Sequence, residues 1–455
     1  MDRTTIPPVL PRVPGLPLLG NALALKPAQM PTQLEIWARV YGPIYTFRLL
    51  HRRGICVSDT DVGLWALKQR PDRFRRPKRM ELVARQLETH GLFTAEGEDW
   101  HRQRTLMRPA FSRRAFEQTF GHIPVVTERL MRRWSSLGSV PIEARQELMR
   151  FTADVTTLLA FGQDLNSVEE PSALQRQIEE IFAALSRRVL APLPYLWMLP
   201  LPQERSADRA AGHVRDRVLD VVRRGSRDGR TLLDAMLEAR KSERFSDREV
   251  YANVFTLLLA GEDTTANSLA WMVYMLARQP ELQARLRAEA KEVLGDAPIA
   301  RTLEQAMELK LTQMAFKEVL RLRGPALMIF LEPTQETDLR GIPVSPDDLV
   351  VVLTRVMAER EENFTQAHRL IPERWDPEWR ASRPGWKHRH QAFLPFGGGA
   401  RTCPGAQLAA LEAQVIISAM CKRFAIELVG TPDVRETFSF VMHPTPFQIR
   451  LRPLT

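Results

Sequence analysis

Phe396-Gly397-Gly398-Gly399-Ala400-Arg401-Thr402-Cys403-Pro404-Gly405 is the stretch that decides the reading of this chain. It holds four glycines, one arginine and one thiol, and the apolar run Phe393-Leu394-Pro395-Phe396 leads into it. Consecutive glycines let a backbone turn through positive φ and come close to a flat ligand. Cys403 follows that turn where a helical pattern begins, so N–H groups point at its sulfur and favour the thiolate. A thiolate in such a place can hold an iron as an axial ligand. Taken as loop punctuation alone, the same residues make a strand-to-helix turn with a buried cysteine.

A polar interruption lies upstream. Ser246-Asp247-Arg248-Glu249 has the spacing of a capping box and predicts a helix start. The periodic pattern runs on to Arg278, a helix of roughly 50 Å at about 1.5 Å per residue. Its middle, 254–260, is almost wholly apolar, as expected of burial on all sides. Ala260-Gly261-Glu262-Asp263-Thr264-Thr265 then breaks the run. Glycine costs a helix about 1 kcal/mol against alanine. Threonine hydroxyls compete for the i−4 carbonyl and can open the helix to water. A polar break in a central apolar helix points to function.

Two further patterns matter. Glu318-Val319-Leu320-Arg321 puts a carboxylate and a guanidinium three residues apart on one helical face, by itself a common surface pair of little worth. Pro372-Glu373-Arg374-Trp375 follows later in the chain. Trp100-His101-Arg102-Gln103-Arg104 opens a helix after Gly97-Glu98-Asp99; Trp100 and Arg104 share a face, and His101 lies off it.

These stretches, in this order over about residues 7–450, resemble the cytochrome P450 family. The resemblance implies a cytochrome P450 fold, with haem b between the long central helix and the cysteine loop and Cys403 as ligand of its iron. Phe396, Gly397 and Gly405 of the loop, and Ala260 and Gly261 of the helix, then contact the cofactor. Asp263 and Thr264 become the acid–alcohol pair: Thr264 hydrogen-bonds the oxygen being activated and its water, and Asp263 relays protons from solvent. Glu262 is less defined, and Thr265 packs. Glu318, Arg321 and Arg374 match a three-way network that braces the loop beneath the haem. Trp100 and Arg104 match donors to the haem propionates, with Arg401 as a second cation. There are two departures. Many members carry a propionate-binding arginine on the strand after the Glu-x-x-Arg helix, where this chain has Leu331 or Glu332. Pro404 follows the cysteine and has no N–H, so one possible hydrogen bond to the thiolate is missing, which should leave a stronger sulfur donor.

Composition is that of a soluble globular enzyme: 455 residues, 44% hydrophobic and 26% charged. Three cysteines (Cys56, Cys403, Cys421) are too few for a disulfide framework, which suits a reducing cytoplasm; Cys421 falls on an apolar helical run and reads as core. The start has no apolar signal segment, and no run approaches the ~18 apolar residues of a membrane span. The expected organisation is one domain over 1–455, mainly α with small β-sheets: a proline-rich arm over 1–31 and a catalytic core over 32–455. A short helix and a small strand unit (44–50, 54–58) open it, helices dominate 100–322, and short strands return at 349–353, 425–428 and 447–451. The apolar stretch 189–202, broken by four prolines, is either a buried connector or a mobile lid that could touch a membrane surface.

The net charge is +10, with basic residues concentrated at 70–79 and 102–114. No nucleic-acid motif accompanies them. They form either a solvated face or a docking surface for an acidic electron carrier of the ferredoxin or flavodoxin type. The expected function is that of a monomeric haem-thiolate monooxygenase. It places one atom of O2 in a lipophilic small molecule (a fatty acid, terpenoid or similar) with electrons drawn from NAD(P)H through a separate partner. Leu257, Leu258, Ala260, Met328, Ile329 and Phe330 either line an apolar pocket or belong to the core. A peroxide-driven or non-oxygenating haem-thiolate enzyme, and a haem-based sensor or carrier, are alternatives that the Asp263-Thr264 pair disfavours.

Overall fold

The computed structural model describes residues 9–170, 172–191, 201–224, 231–241 and 245–454. Helix α1 (Met30–Tyr41) precedes an antiparallel hairpin of β1 (Ile44–Leu49) and β2 (Arg52–Val57). A helical body follows, with α2 (Thr60–Lys68), the short β3 (Phe74–Arg75), α3 (Lys78–Gln86), α4 (Gly97–Met107), α5 (Arg113–Thr119) and α6 (His122–Leu137). It continues through β4 (Ile142–Glu143), α7 (Ala144–Phe161), α8 (Ala173–Leu190), α9 (Pro202–Arg224), α10 (Leu232–Lys241) and α11 (Asp247–Ala277). Helices α12 (Pro280–Leu294), α13 (Leu303–Glu308) and α14 (Lys310–Arg323) complete it. The chain then returns to strands β5 (Met328–Pro333), β6 (Thr337–Asp338), β7 (Pro343–Val344) and β8 (Leu349–Leu353), followed by α15 (Thr354–Ala358) and α16 (Pro377–Ala381). Helix α17 (Ala406–Arg423), β9 (Phe424–Leu428), β10 (Glu436–Phe438), β11 (Met442–Pro444) and β12 (Gln448–Pro453) end it.

The expected class, mainly helical with small sheets, is what the chain adopts. The main sheet has the order β1-β2-β8-β5-β3, parallel between β2 and β8 and antiparallel elsewhere. Alternation along β5 and β8 feeds two cores, as the two-residue period of a strand requires. Ile329 and Leu331 join Val350 and Val352 on one face, while Met328 and Phe330 join Val351 and Leu353 on the other. The described part of the proline-rich segment is not a free arm. The Val13 N–H donates to the Thr46 carbonyl at 2.9 Å and the Thr46 N–H to the Pro11 carbonyl at 2.8 Å, pinning it along β1. No described helix is long and apolar enough to cross a membrane. Of the stretch 189–202, residues 192–200 lie outside the described residues.

Helix α11 organises the body. Ser246 caps it with the expected box: the Glu249 N–H donates to the serine oxygen at 3.3 Å, and Glu249 accepts the Ser246 N–H at 2.8 Å. Its 31 residues span about 46 Å. The first half, including Val250, Val254, Phe255 and Leu258, packs into a core with α8, α9 and α10. The second half, including Leu269, Met272 and Leu276, packs into another with α6, α7, α12, α14 and α17. The segment 260–264 lies where the helix passes from one core to the other. The helix stays unbroken there, contrary to the expected opening. The Thr264 hydroxyl donates to the Ala260 carbonyl at 2.5 Å and the Ser268 hydroxyl to the Thr264 carbonyl at 2.8 Å. A carbonyl oxygen has two lone pairs, so each hydroxyl adds to the backbone bond without displacing it.

Candidate active site

The glycine loop turns as its sequence predicts. Gly397 has φ 75° and Gly399 φ 71°. A Cβ on Gly399 would stand 2.6 Å from the carbonyl oxygen of Leu67 in α2, so side-chain-free backbone is what lets the loop abut that helix. The Cys403 N–H donates to the Phe396 carbonyl at 3.0 Å and closes the turn just ahead of α17. Of the three cysteines, Cys56 and Cys421 are buried and only Cys403 is exposed. Burial nevertheless pushes the Cys403 thiol up, and the Gly405 N–H and the guanidinium groups of Arg104 and Arg76 oppose that rise. A thiol that is both accessible and desolvated lines a space inside the body. Pro404 brings no N–H to it, which leaves Gly405 as the loop donor.

On α11, Leu257, Ala260 and Thr264 form an accessible stripe at helical spacing, while Leu258, Glu262, Asp263 and Thr265 are buried. Asp263 accepts from Arg145 Nη2 at 3.0 Å and from the Asn267 amide at 3.1 Å, and Asn267 in turn accepts from Arg145 Nε at 2.7 Å. Asp263 and Thr264 therefore belong to separate hydrogen-bond systems. Glu262 is buried with one carboxyl oxygen lacking a partner. Burial, reinforced by the carboxylates of Glu179 and Asp263, pushes its pKa far above the carboxylate range. Gly261, expected against the cofactor, serves helix packing: a Cβ there would stand 2.7 Å from Thr156 Oγ1 of α7. Leu258, one of the expected pocket residues, is core at 1% exposure. Met328 and Phe330 pack on the opposite face of β5 from Ile329, so strand alternation splits that part of the expected pocket wall. Ile329 points to the loop, with Cδ1 3.8 Å from the place of a Cβ on Gly397.

The brace assembles as its sequence pattern implies. Glu318 accepts from Arg321 Nε at 2.8 Å, lies 3.0 Å from Arg374 Nε and takes the Trp375 indole N–H at 3.0 Å. Both arginine side chains are fully buried and spend their other nitrogens on carbonyls, among them those of Ala358, Thr365 and Arg369. The Trp375 ring lies 4.4 Å from that of Phe393, at the head of the glycine loop. The ion cluster thus reaches the loop through two rings.

Helix α4 starts at Gly97, one turn before the expected Trp100. Trp100 is buried, with the Arg401 guanidinium 4.7 Å from its ring. Arg104 donates to the Thr402 carbonyl at 3.2 Å, beside the cysteine. Arg401 ion-pairs with Glu96 at 2.6 Å, a partner that its sequence context did not signal. Its Nε, like Nε and Nη2 of the buried Arg70, has no partner among the described residues. Unsatisfied buried donors are rare and costly. An accessible cysteine loop, an accessible stripe on the central helix and orphaned guanidinium nitrogens fit an iron porphyrin with two carboxylates. Sequence reading also missed Phe440, at φ 97°, whose ring lies 5.1 Å from Phe182 and 6.2 Å from Phe93. Gly91-Leu92-Phe93-Thr94 is held to α11 by Asn253, which accepts the Leu92 N–H at 2.8 Å.

The profile of the Cytochrome P450 family matches residues 10–451. Cyclooctatin synthase from Streptomyces melanosporofaciens is 29% identical over 92% of this chain and 90% of its own length. The cyclooctat-9-en-7-ol 5-monooxygenase of the same organism is 28% identical over 94% and 92%. Pentalenene oxygenase from Streptomyces avermitilis is 29% identical over 82% of each. The heme domain of a cytochrome P450DA mutant superposes with a TM-score of 0.87 over 98% of both chains, at 23% identity. The chain belongs to the cytochrome P450 family, and it is a monooxygenase that uses haem b and dioxygen.

Proposed function

We propose that this monooxygenase hydroxylates a cyclic terpenoid skeleton, with Cys403 as the haem ligand. The observation that carries the ligand reading is the exposure of Cys403, alone among the three cysteines, at the end of a glycine turn with a Gly405 N–H beside its sulfur. The names of the bacterial relatives, which refer to cyclooctatin, cyclooctat-9-en-7-ol and pentalenene, support the substrate class.

When bound, the haem supplies activation of O2 with two electrons and two protons, one oxygen atom entering a C–H bond and the other leaving as water. The side chains do the rest. Cys403 gives the sulfur. Thr264 presents its hydroxyl from the accessible stripe of α11 and hands on a proton by leaving the Ala260 carbonyl. Asp263 brings protons from the Arg145 side, where Arg145 is partly exposed. Trp100, Arg104 and Arg401 receive the propionates. Phe396, Gly397 and Gly405 shape the loop side, and Leu257, Ala260 and Ile329 the apolar wall. Glu318, Arg321 and Arg374 hold the loop in place. Residues 1–455 work as one catalytic unit, consistent with a family match that runs almost end to end.

Electrons reach the site from a ferredoxin or flavodoxin-type carrier. Arg108, Arg113 and Arg114 are exposed on and beside α5, next to the helix whose Arg104 touches the cysteine loop. Such a patch raises the on-rate of an acidic partner. Three unpaired cysteines suit a reducing cytoplasm.

Purified holoprotein with a surrogate ferredoxin system, 18O2 and parallel panels of cyclic terpene hydrocarbons and fatty acids tests this. The expected result is a ferric spectral shift and one 18O atom in a terpenoid product. Turnover of fatty acids only would overturn the substrate class.

A further inference from the structure

The strand position that carries a propionate-binding arginine in many relatives is otherwise engaged here. Glu332 of β5 ion-pairs with Arg52 at 2.6 Å and accepts the Lys78 N–H at 2.8 Å, and Leu331 is buried in the sheet core. The site nevertheless has cations to spare. Arg76, just after β3, and Arg401 are held by the same short segment, 92–96. Arg401 donates to the carbonyls of Leu92 and Ala95 and pairs with Glu96. Arg76 Nε donates to the Phe93 carbonyl at 2.6 Å, its backbone N–H donates to Glu96 at 3.1 Å, and its guanidinium lies 4.0 Å from the Phe93 ring centre.

Glu96 thus serves the Arg401 guanidinium and the Arg76 backbone N–H, which leaves the Arg76 guanidinium without a carboxylate of its own, and Arg70 crowds the pair further. Burial, with repulsion from Arg401, pulls the Arg70 pKa down to about 10 despite Glu96. Arg70 Nε and Nη2 and Arg401 Nε have no partner, and the two outer nitrogens of Arg76 make no hydrogen bond among the described residues. Arg76 is also close enough to Cys403 for its charge to favour the thiolate, as is Arg104. Three clustered arginines answered by one carboxylate repel one another at a cost. A planar ligand with two carboxylates beside Cys403 relieves that cost, because each carboxylate can take a guanidinium fork.

We propose that Arg76, backed by Arg70, binds a haem propionate in place of the strand arginine that this chain lacks. Lysine at position 76 keeps the charge but loses the fork and the stacking on Phe93, so it substitutes only in part.

The test is haem release from ferric holoprotein to excess apomyoglobin, followed in the Soret band, for wild type, Arg76→Ala, Arg76→Gln, Arg76→Lys and a surface control, Arg224→Ala. Protein reconstituted with the haem dimethyl ester, whose propionates are blocked, is measured alongside. Arg76→Ala and Arg76→Gln should release haem at least about tenfold faster, the scale of one lost charge-assisted hydrogen bond. Arg76→Lys should fall between, and Arg224→Ala should match wild type. With the dimethyl ester, wild type and Arg76→Ala should release alike. Equal release of natural haem by wild type and both neutral variants would overturn the proposal, as would an equal acceleration with the ester. The proposal rests on haem binding itself, which the Soret band of wild type checks separately. If Arg76→Ala does not accumulate with haem, Arg76→Gln decides.

Discussion

Arg145 Nη2 stands 3.0 Å from Asp263 Oδ1, and the Asn267 amide ties the two together on the buried side of α11. Thr264, one residue further, faces the accessible side with its hydroxyl on the Ala260 carbonyl. The acid and the alcohol are neighbours in sequence but not bonded to each other. Under the proposed relay, proton delivery needs two local openings: Asp263 from Arg145, and Thr264 from its own helix.

Separate substitutions distinguish these openings. Asp263→Asn keeps the hydrogen bonds but cannot carry a proton, and product formation should fall about a hundredfold. Thr264→Ala should leave stability unchanged or higher by about 0.5 kcal/mol, because alanine is the better helix former. It should divert reductant into peroxide, so product per electron falls while the melting temperature does not. Unchanged product per electron would remove Thr264 from the chemistry.

The Glu318 carboxylate makes a different demand. It is fully buried and answers two fully buried guanidinium groups, so neither side can be removed without stranding charge. Arg374→Ala should cost about 3–5 kcal/mol. Glu318→Ala strands two cations and should prevent recovery of haem-loaded protein. Thermal melts of the two variants, with the Soret-to-protein absorbance ratio, check both outcomes.

The extent to which this site was legible follows the range over which each signal acts. The glycine turn, the capping box at Ser246 and the Glu318–Arg321 spacing are local, and they predict the loop, the long helix and half of the brace. Arg374 came from a family pattern, since nothing local links it to Glu318 across 56 positions of chain. Arg145, Glu96 and Arg76 were invisible because their partners come from other elements, and an arginine near a helix end or turn reads as solvated. The expected pocket wall split, with Ile329 on one face and Met328 and Phe330 on the other, because composition marks a strand as apolar without saying which face meets the site. Gly261 misled for a related reason: a missing Cβ shows close approach but not by what, and here it is Thr156.

Cys403 and Pro404 give a spectroscopic prediction. Cys403→Ser should keep the fold, because the thiol is exposed, and abolish the ferrous–CO band of a thiolate-ligated haem. Survival of that band would sink the ligand assignment. Pro404→Ala adds an N–H next to the sulfur, which should stabilise the thiolate and raise the haem reduction potential. A redox titration showing no rise would leave Gly405 as the loop's sole influence on the sulfur.

Glu412 of α17 is 1% exposed and has a carboxyl oxygen with no partner among the described residues. Burial alone pushes its pKa up to about 8. The folded protein therefore holds this proton at neutral pH, whereas an unfolded glutamate releases it near pH 4.5. A group whose pKa is raised by folding contributes stability that is complete below the unfolded pKa and is lost as pH climbs to the folded one. Wild-type stability should carry a component that declines from about pH 4.5 to about pH 8, by about 5 kcal/mol if nothing relaxes. Glu412→Gln keeps the shape of the neutral acid and cannot ionise. It should match wild type at pH 5 and exceed it at pH 8, with no change in haem content. Denaturant unfolding of both proteins across that range measures the difference, and parallel pH profiles would show that folding does not raise the Glu412 pKa.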